Sequence, residues 1–330
     1  MSDTTGPSVR DRLARIAPGL ALCMVVAAAA RFLSEHYGAP QMLFALLLGM
    51  ALHFLTEDAR SAAGIDFAAR VLLRLGVALL GVRITFDEVG HLGAGAVVWM
   101  AAGVALTIAV GALAVRLTGL DRRFGILSGG AVAICGASAA MAIAAVLPRD
   151  ERSERDTILV VVTVTALSTL AMILYPMITA TLGLGDRAAG LFLGGTIHDV
   201  AQVVGAGYSV SPETGDTATI AKLFRVAMLV PVVLLIGLRH RAGGHRAPLP
   251  LFVVGFAALV VLNSAGAVPA AAAGWLTTLS GWCLVTAIAA LGIKTSLRSL
   301  FEVGSAPLLL LLGETVVLAL WIGLGIALGY

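Results

Sequence analysis

Apolar runs of bilayer length alternate along this chain with short polar connections. Runs such as 92–115, 157–182 and 306–329 approach or exceed the roughly 20 apolar residues that a helix needs to cross the hydrocarbon core. Lipid offers a backbone no hydrogen-bonding partner, so such runs are helices. Eleven apolar segments can be drawn, at about 14–33, 40–56, 65–85, 92–115, 124–147, 157–182, 187–208, 218–238, 248–268, 273–293 and 306–329. The pattern predicts an all-α, polytopic membrane protein. Its tail covers 1–13, and a single transmembrane domain covers 14–330.

Two segments are poorly built to be plain helices. "GGAVAICGASAA" (129–140) packs glycines and small residues into the middle of an apolar run, and "GGTIHDVAQVVGAG" (194–207) opens on the same glycine pair and adds a His-Asp dipeptide. Breaks are expected at "ICGAS" (134–138) and "GTIHD" (195–199). At a broken membrane helix, the free N–H groups of the following half-helix can hold an anion. In the first segment Gly136 frees the backbone, Ser138 can cap or contact a substrate oxygen, and Cys135 supplies a weak donor. Gly129, Gly130 and Gly194 are structural candidates for close helix approach. In the second segment Gly195, Thr196 and Gln202 join the candidate substrate site. His198 and Asp199 are ionisable groups in an apolar stretch, which by default marks a functional role such as proton coupling. The competing reading of Asp199 is that it caps the returning half-helix.

The charges bear on orientation. Basic residues crowd five connections and the N-terminus: Arg10, Arg12 and Arg15; Arg60, Arg70 and Arg74; Arg116, Arg122 and Arg123; Arg149, Arg152 and Arg155; Arg239, Arg241 and Arg246; Lys294 and Arg298. If all eleven segments cross, alternation puts "PRDERSERD" (148–156) outside, against the positive-inside tendency. If the two glycine-pair segments are re-entrant hairpins, every basic cluster lies inside, with a cytoplasmic N-terminus, and acidic "SPETGD" (211–216) lies outside. Whether 124–147 and 187–208 span or re-enter stays open here.

A repeat favours the hairpins. "ALLGVRITFDEVG" (78–90) resembles "AALGIKTSLRSLFEVG" (289–304), and "PQMLFALLLGMAL" (40–52) loosely resembles "PLFVVGFAALVVL" (250–262). Segments 2–4 then match 9–11, the glycine pairs match segment 5 to 7, and 6 stands opposite 8. This predicts a permuted inverted repeat, about 40–182 against 187–330, of the kind many secondary transporters use.

Composition closes off other classes. Of the 330 residues 59% are hydrophobic and 12% charged, and the mean hydropathy is +0.99. The net charge of +3 is scattered and points to no nucleic acid. Cys23, Cys135 and Cys283 lie in apolar segments, so no disulfide framework is expected. The polar start shows no signal-peptide cleavage site, so the first helix is expected to remain in the mature protein. No nucleotide-binding "GxxxxGK[ST]" stretch, metal cluster or cofactor motif is present. Four basic residues are candidate counter-charges for an anion: Lys222 and Arg225, one turn apart in "TATIAKLFRVAML", and Arg83 and Lys294, at matching repeat positions.

Together, "AICGASAAMAIAAVLP" and "GGTIHDVAQVVGAG" resemble the sulfate exporter family of bacterial inner-membrane proteins across nearly the whole chain. The stretch from "LGVALLGVRITFDEVG" to "SGGAVAICGASA" is more distantly similar to the first half of bile-acid/sodium symporters. The resemblance implies a secondary transporter of the inner membrane that exports a small oxyanion, sulfate or sulfite, with protons or sodium as the coupling ion. A homodimer stays open. The alternatives are a cation/proton antiporter or organic-anion symporter using Asp199 and His198, and an intramembrane enzyme using Ser138, His198 and Asp199. The enzyme is disfavoured because adjacent His and Asp side chains do not give the geometry of a nucleophilic triad.

Overall fold

The computed structural model describes residues 9–37, 40–148, 151–239, 251–295 and 304–329, and among these every regular element is helical. Arg149, Arg241, Arg246 and Arg298 of the basic clusters, the side chains of Arg10 and Arg12, and most of "SLFEVG" at the end of the second repeat copy lie outside them. The helices are α1 (Val9–Tyr37), α2 (Gln41–Ala51), α3 (Ala59–Phe67), α4 (Leu73–Leu80), α5 (Phe86–His91), α6 (Ala94–Thr118), α7 (Arg122–Ala133) and α8 (Ala137–Val146). They continue as α9 (Ser153–Thr181), α10 (Asp186–Thr196), α11 (Val200–Val210), α12 (Pro212–Ala227), α13 (Leu229–Arg239), α14 (Leu251–Ser264), α15 (Ala270–Lys294) and α16 (Ser305–Ala327).

Six stretches are long and apolar enough to cross a bilayer: Leu13–Tyr37, Ala94–Thr118, Ser153–Thr181, Pro212–Arg239, Ala270–Lys294 and Ser305–Ala327. The chain is a multi-pass membrane protein. The other predicted segments are helical too, but shorter or interrupted. Segment 40–56 is α2 followed by a 3-10 turn at His53–Glu57, and segment 65–85 passes through a π turn at Ala68–Leu72 and ends in a 3-10 turn at Gly81–Arg83. Met228 separates α12 from α13 because Pro231 lacks an N–H and its ring crowds the preceding turn.

The glycine-pair segments each divide into two short helices that fold back on one another. Gly130 of α7 touches the side chain of Ile143 on α8. Asp121, which caps α7 through the Phe124 amide at 2.7 Å, also pairs with Arg152 beyond α8 at 3.4 Å. The second pair closes in the same way. Asp186 at the start of α10 accepts hydrogen bonds from Ser211, just past α11, and from Thr214 (2.7 Å). Ser211 is itself the N-cap of α12, followed by Pro212 in the first turn, where its missing N–H costs nothing.

These hairpins lie at the centre. Residues Ala189–Thr196 of α10 and Val200–Gly207 of α11 are all buried, as is most of α7 from Phe124 onward. A helix buried all round carries apolar and small residues on every face, and here the glycines set the approach distances. A Cβ at Gly129 would come within 2.9 Å of the Ile108 Cα on α6, and one at Gly194 within 2.8 Å of the Ala221 Cβ on α12.

Around them, α2 packs on α15 and α4 on α14. The same contact recurs in both places: a Cβ on Gly292 would strike the Leu46 carbonyl, and one on Gly81 would strike the Phe256 carbonyl. Helices α6 and α16 run antiparallel, since Trp99 near the start of α6 meets Trp321 near the end of α16 while Gly111 meets Glu314. The two indoles stack with centroids 4.3 Å apart and donate to each other's backbone carbonyls at 2.8 and 3.0 Å.

Because the atoms opposing Gly81 and Gly292 are backbone carbonyls that no rotamer change can move, Gly81→Ala and Gly292→Ala should each cost about 1–3 kcal/mol. Gly313→Ala, which meets nothing within 4 Å, should be neutral or stabilise by up to about 1 kcal/mol. Thermal unfolding in detergent ranks the three, and equal melting points would contradict the packing described.

Candidate functional site

Both predicted breaks are present. Helix α7 stops at Ala133 and α8 starts at Ala137, with Gly136 between them at φ +63°, ψ −125°, a backbone conformation that side chains disfavour. Helix α10 stops at Thr196 and α11 starts at Val200, with Ile197 extended. The two tips meet: a Cβ at Gly136 would lie 3.8 Å from the His198 Cβ.

A half-helix that ends inside the protein leaves carbonyls without intrahelical donors and concentrates negative potential there. Here both ends are served by α12. Lys222 Nζ donates to the Ile134 carbonyl at 2.6 Å and to the Ile197 carbonyl at 2.9 Å, joining one tip to the other. Arg225 donates through Nε to Ala133 (2.8 Å), through Nη1 to Gly194 (3.1 Å) and Ile197 (3.0 Å), and through Nη2 to Val132 (2.8 Å). The two side chains are 0% and 1% exposed, so these bonds form away from water. They sit one turn apart on one face of α12, as the spacing predicts. Their immediate partners are the tip carbonyls.

His198 adds a third link. Its Nδ1 faces the Val132 carbonyl at 3.1 Å and its Nε2 the Thr315 hydroxyl of α16 at 3.0 Å. A carbonyl only accepts, so Nδ1 carries the hydrogen. The Thr315 hydroxyl has one proton and two acceptors in reach, Nε2 and the Leu311 carbonyl at 2.8 Å. A neutral imidazole accepts the hydroxyl's hydrogen bond at Nε2, and an imidazolium donates at Nε2 and leaves the hydroxyl to donate to Leu311.

The two half-helix N-termini differ. At α11 the Asp199 carboxylate accepts from the Ala201 amide at 2.8 Å, and the Ser168 hydroxyl of α9 accepts from the amides of His198 (3.2 Å) and Asp199 (3.0 Å). Asp199 therefore does cap the helix. At α8 the N-cap is Gly136, which offers no side chain, the Ala139 amide is served by the buried Cys135 thiol, and Ser138 is exposed with no hydrogen bond from its hydroxyl among the described residues. Ser138 is thus exposed and Lys222 sealed.

The remaining candidates divide between the tips and the packing around them. Cys135 is buried in the first tip. Thr196 bonds back to the Phe192 carbonyl at 2.6 Å, and Gly195 packs on Ile322 of α16. Gln202 donates to Thr169 at 2.8 Å, while its Oε1 is buried with no partner. Arg83 and Lys294 lie away from the tips and pair with Asp216 (3.2 Å) and Asp66 respectively. Sequence reasoning missed Ser168, Thr315 and the pair formed by Ser128 on α7 and Glu314 on α16 (2.6 Å). Glu314 carried a readable signal: it is an ionisable residue inside an apolar run, the same feature that singles out His198.

Residues 18–311 match the family described as Conserved hypothetical protein 698. The chain is 58% identical to the UPF0324 membrane protein TauZ of Paracoccus denitrificans, over 94% of each chain. The chain belongs to the UPF0324 membrane protein family. It is also 56% identical to family member CT0845 of Chlorobaculum tepidum, over 94% of this chain and 89% of that one. At greater distance it is 34% identical to PA5383 of Pseudomonas aeruginosa, over 97% and 95%. No solved structure matches.

Ser168 serves two tip amides at once, that of His198 buried and that of Asp199 partly buried, and a buried amide left without an acceptor costs about 1–3 kcal/mol. Ser168→Ala should therefore lower stability by at least one such increment. Ser138→Ala, at an exposed and unbonded hydroxyl, should stay within about 0.5 kcal/mol. Denaturation of both variants in detergent checks the contrast, and a wild-type melting point for Ser168→Ala would remove it from the tip.

Proposed function

We propose that this protein is a secondary transporter of the bacterial inner membrane that moves a small inorganic oxyanion, sulfate or sulfite, outward by alternating access. The observation that carries the reading is the meeting of two broken helices in the core, tied together by the buried cations Lys222 and Arg225. Irregular backbone at membrane depth is tolerated only where protein surrounds it or where it lines a cavity. Paired discontinuous helices are how many secondary transporters build their binding sites.

The anion is assigned to the open N-terminus of α8, beside Ser138. Its N-cap, Gly136, has no side chain and its first turn carries no carboxylate, and the positive end of the half-helix dipole adds to the charges of Lys222 and Arg225 behind the tip. The N-terminus of α11 is already filled by Asp199 and Ser168. The oxyanion itself follows from the resemblance to sulfate exporters. A transporter is favoured over an enzyme because His198 bonds to Val132 and Thr315, and Asp199 to the Ala201 amide, so Ser138, His198 and Asp199 are not arranged as a triad. His198 remains a candidate proton carrier.

The inverted repeat and the re-entrant hairpins belong to the same reading. In their favour, the Asp121–Arg152 contact brings both ends of the first hairpin together, and the Asp186–Ser211 contact does so for the second. Helix α9 runs from the first of these places to the second, so the hairpins point at each other from opposite ends. The matched helices α6 and α16 are antiparallel, and the Gly81 and Gly292 contacts are equivalent in the two copies. This path gathers Arg116, Arg122, Arg123, Arg152, Arg155 and Lys294 at one end, which is then cytoplasmic together with the N-terminus.

Proteoliposomes loaded with labelled sulfate, sulfite or sodium test the activity. Sulfate or sulfite flux is expected, with Ser138→Ala weakening anion affinity by about 0.5–1.5 kcal/mol, the equivalent of one hydrogen bond. Sodium flux without anion flux would replace this reading with a cation antiporter. Topology has its own check: cysteines at Arg122 and Ser153, in a background with Cys23, Cys135 and Cys283 replaced, should both resist a membrane-impermeant thiol reagent until spheroplasts are opened. Labelling of the Ser153 position alone from outside would exclude the hairpin.

A further inference from the structure

Glu314 stands apart from the tips and has no role in the anion site. It lies near the middle of α16, 1% exposed, where α16 packs against α6 and α7. One carboxyl oxygen, Oε1, is 2.6 Å from the Ser128 hydroxyl, while Oε2 is buried without any hydrogen-bond partner. Gly111 of α6 leaves the space that Oε1 occupies, since a Cβ there would collide with it.

No cation among the described residues pairs with this group. Among the described residues, the ionisable side chains of the elements packed on α16 are Arg116 on α6, Arg122 and Arg123 on α7, Glu154, Arg155, Asp156 and Tyr175 on α9, and Asp186 and Arg187 on α10. Those on α6 and α7 are at least a helical turn from Gly111 and Ser128, those of α9 and α10 other than Tyr175 sit in first turns, and Tyr175 packs on Phe192. His198 bonds to Thr315, the residue that follows Glu314 in the chain.

The hydrogen-bonding inventory suits a carboxylic acid. An acid places its one proton between Oε1 and Ser128, whose own hydrogen then points at the Gly125 carbonyl, 3.3 Å away, and leaves a neutral Oε2. A carboxylate would leave a charged oxygen buried and bare. We propose that Glu314 is a proton-binding site, loaded in this closed arrangement and emptied to water when the contact of α6, α7 and α16 opens. The step is a plain transfer: the carboxylate takes a proton from hydronium, giving the acid and water, and returns it on reopening. Through Ser128 the site touches α7, and through the next residue, Thr315, α16 also holds the His198 tip. Loading therefore favours the arrangement in which both hairpins are docked on α16. As a coupling site, Glu314 rests on the transporter reading; as a proton site it does not.

The experiment has two arms on the full chain in lipid. Infrared difference spectra of wild type against Glu314→Gln at neutral pH should show the carbonyl stretch of a protonated carboxyl, lost in the variant, and Ser128→Ala should shift that band by removing its hydrogen bond. In proteoliposomes carrying an internal pH dye, protons moved per sulfate or sulfite should fall at least tenfold in Glu314→Gln. Absence of the band in wild type overturns the proposal, and an unchanged proton-to-anion ratio overturns the coupling role. If Glu314→Gln does not fold, the band and its shift in Ser128→Ala decide alone. A wild type that shows the band but moves neither anion would defeat the transporter reading and leave the proton site standing.

Discussion

Two backbone ends that stop in the middle of the protein must find hydrogen-bond donors there, and the rest of this architecture follows from how they do. The carbonyls of Val132, Ala133, Ile134, Gly194 and Ile197 point where neither water nor a continuing helix can serve them. Lys222 and Arg225 supply the donors, and they do so as charges, so each bond is stronger than one from a neutral group. The negative ends of two helix dipoles in turn make it possible to keep two cations fully buried only one turn apart on α12. Neither half of the arrangement is stable alone. Without the cations the tips would be unsatisfied, and without the tips the cations would be uncompensated charges in an apolar interior.

The small residues have the complementary task. Bringing α12 close enough for lysine and arginine to reach five carbonyls requires Gly194 to lie against Ala218 and Ala221, and docking the first hairpin on α6 requires Gly111, Gly125 and Gly129 to meet nearly backbone to backbone. In lipid, where no hydrophobic force gathers helices, such contacts hold a bundle together through packing. The glycine pairs therefore serve the breaks indirectly. Gly136 alone is required by the backbone turn itself.

How much of this could be read from the residues depended on whether the partner was a side chain or a backbone. The apolar segments and both breaks were legible, because runs of bilayer length, a Gly in a CGAS tetrad and a His-Asp pair in an apolar stretch are all local signals. The tally of crossings was not, since α2, α14 and the interrupted α3–α4 stretch share the composition of a span without its length as one helix. Lys222 was legible as a candidate counter-charge, but its partners are the carbonyls of Ile134 and Ile197, and every residue has a carbonyl, so nothing in the string of letters marks which two will be used. Ser168 and Thr315 were hidden for a related reason: a hydroxyl inside a membrane helix ordinarily bonds back to its own preceding turn, as Thr163 and Thr165 do here. Glu314 was visible on the rule already applied to His198.

The unequal capping of the two half-helices has a consequence beyond the site. Two copies of one motif facing each other about a two-fold axis would, if chemically identical, give the two faces of the membrane equivalent access states of equal energy. Here one tip is stitched shut by a carboxylate and a hydroxyl, Asp199 and Ser168, while the other has a glycine N-cap, a buried thiol and the exposed Ser138. That difference lifts the degeneracy. For the transporter proposed above, that asymmetry writes a resting preference into the covalent chain, so that even with identical solutions on both sides it would wait more often with one face closed, before any gradient is applied.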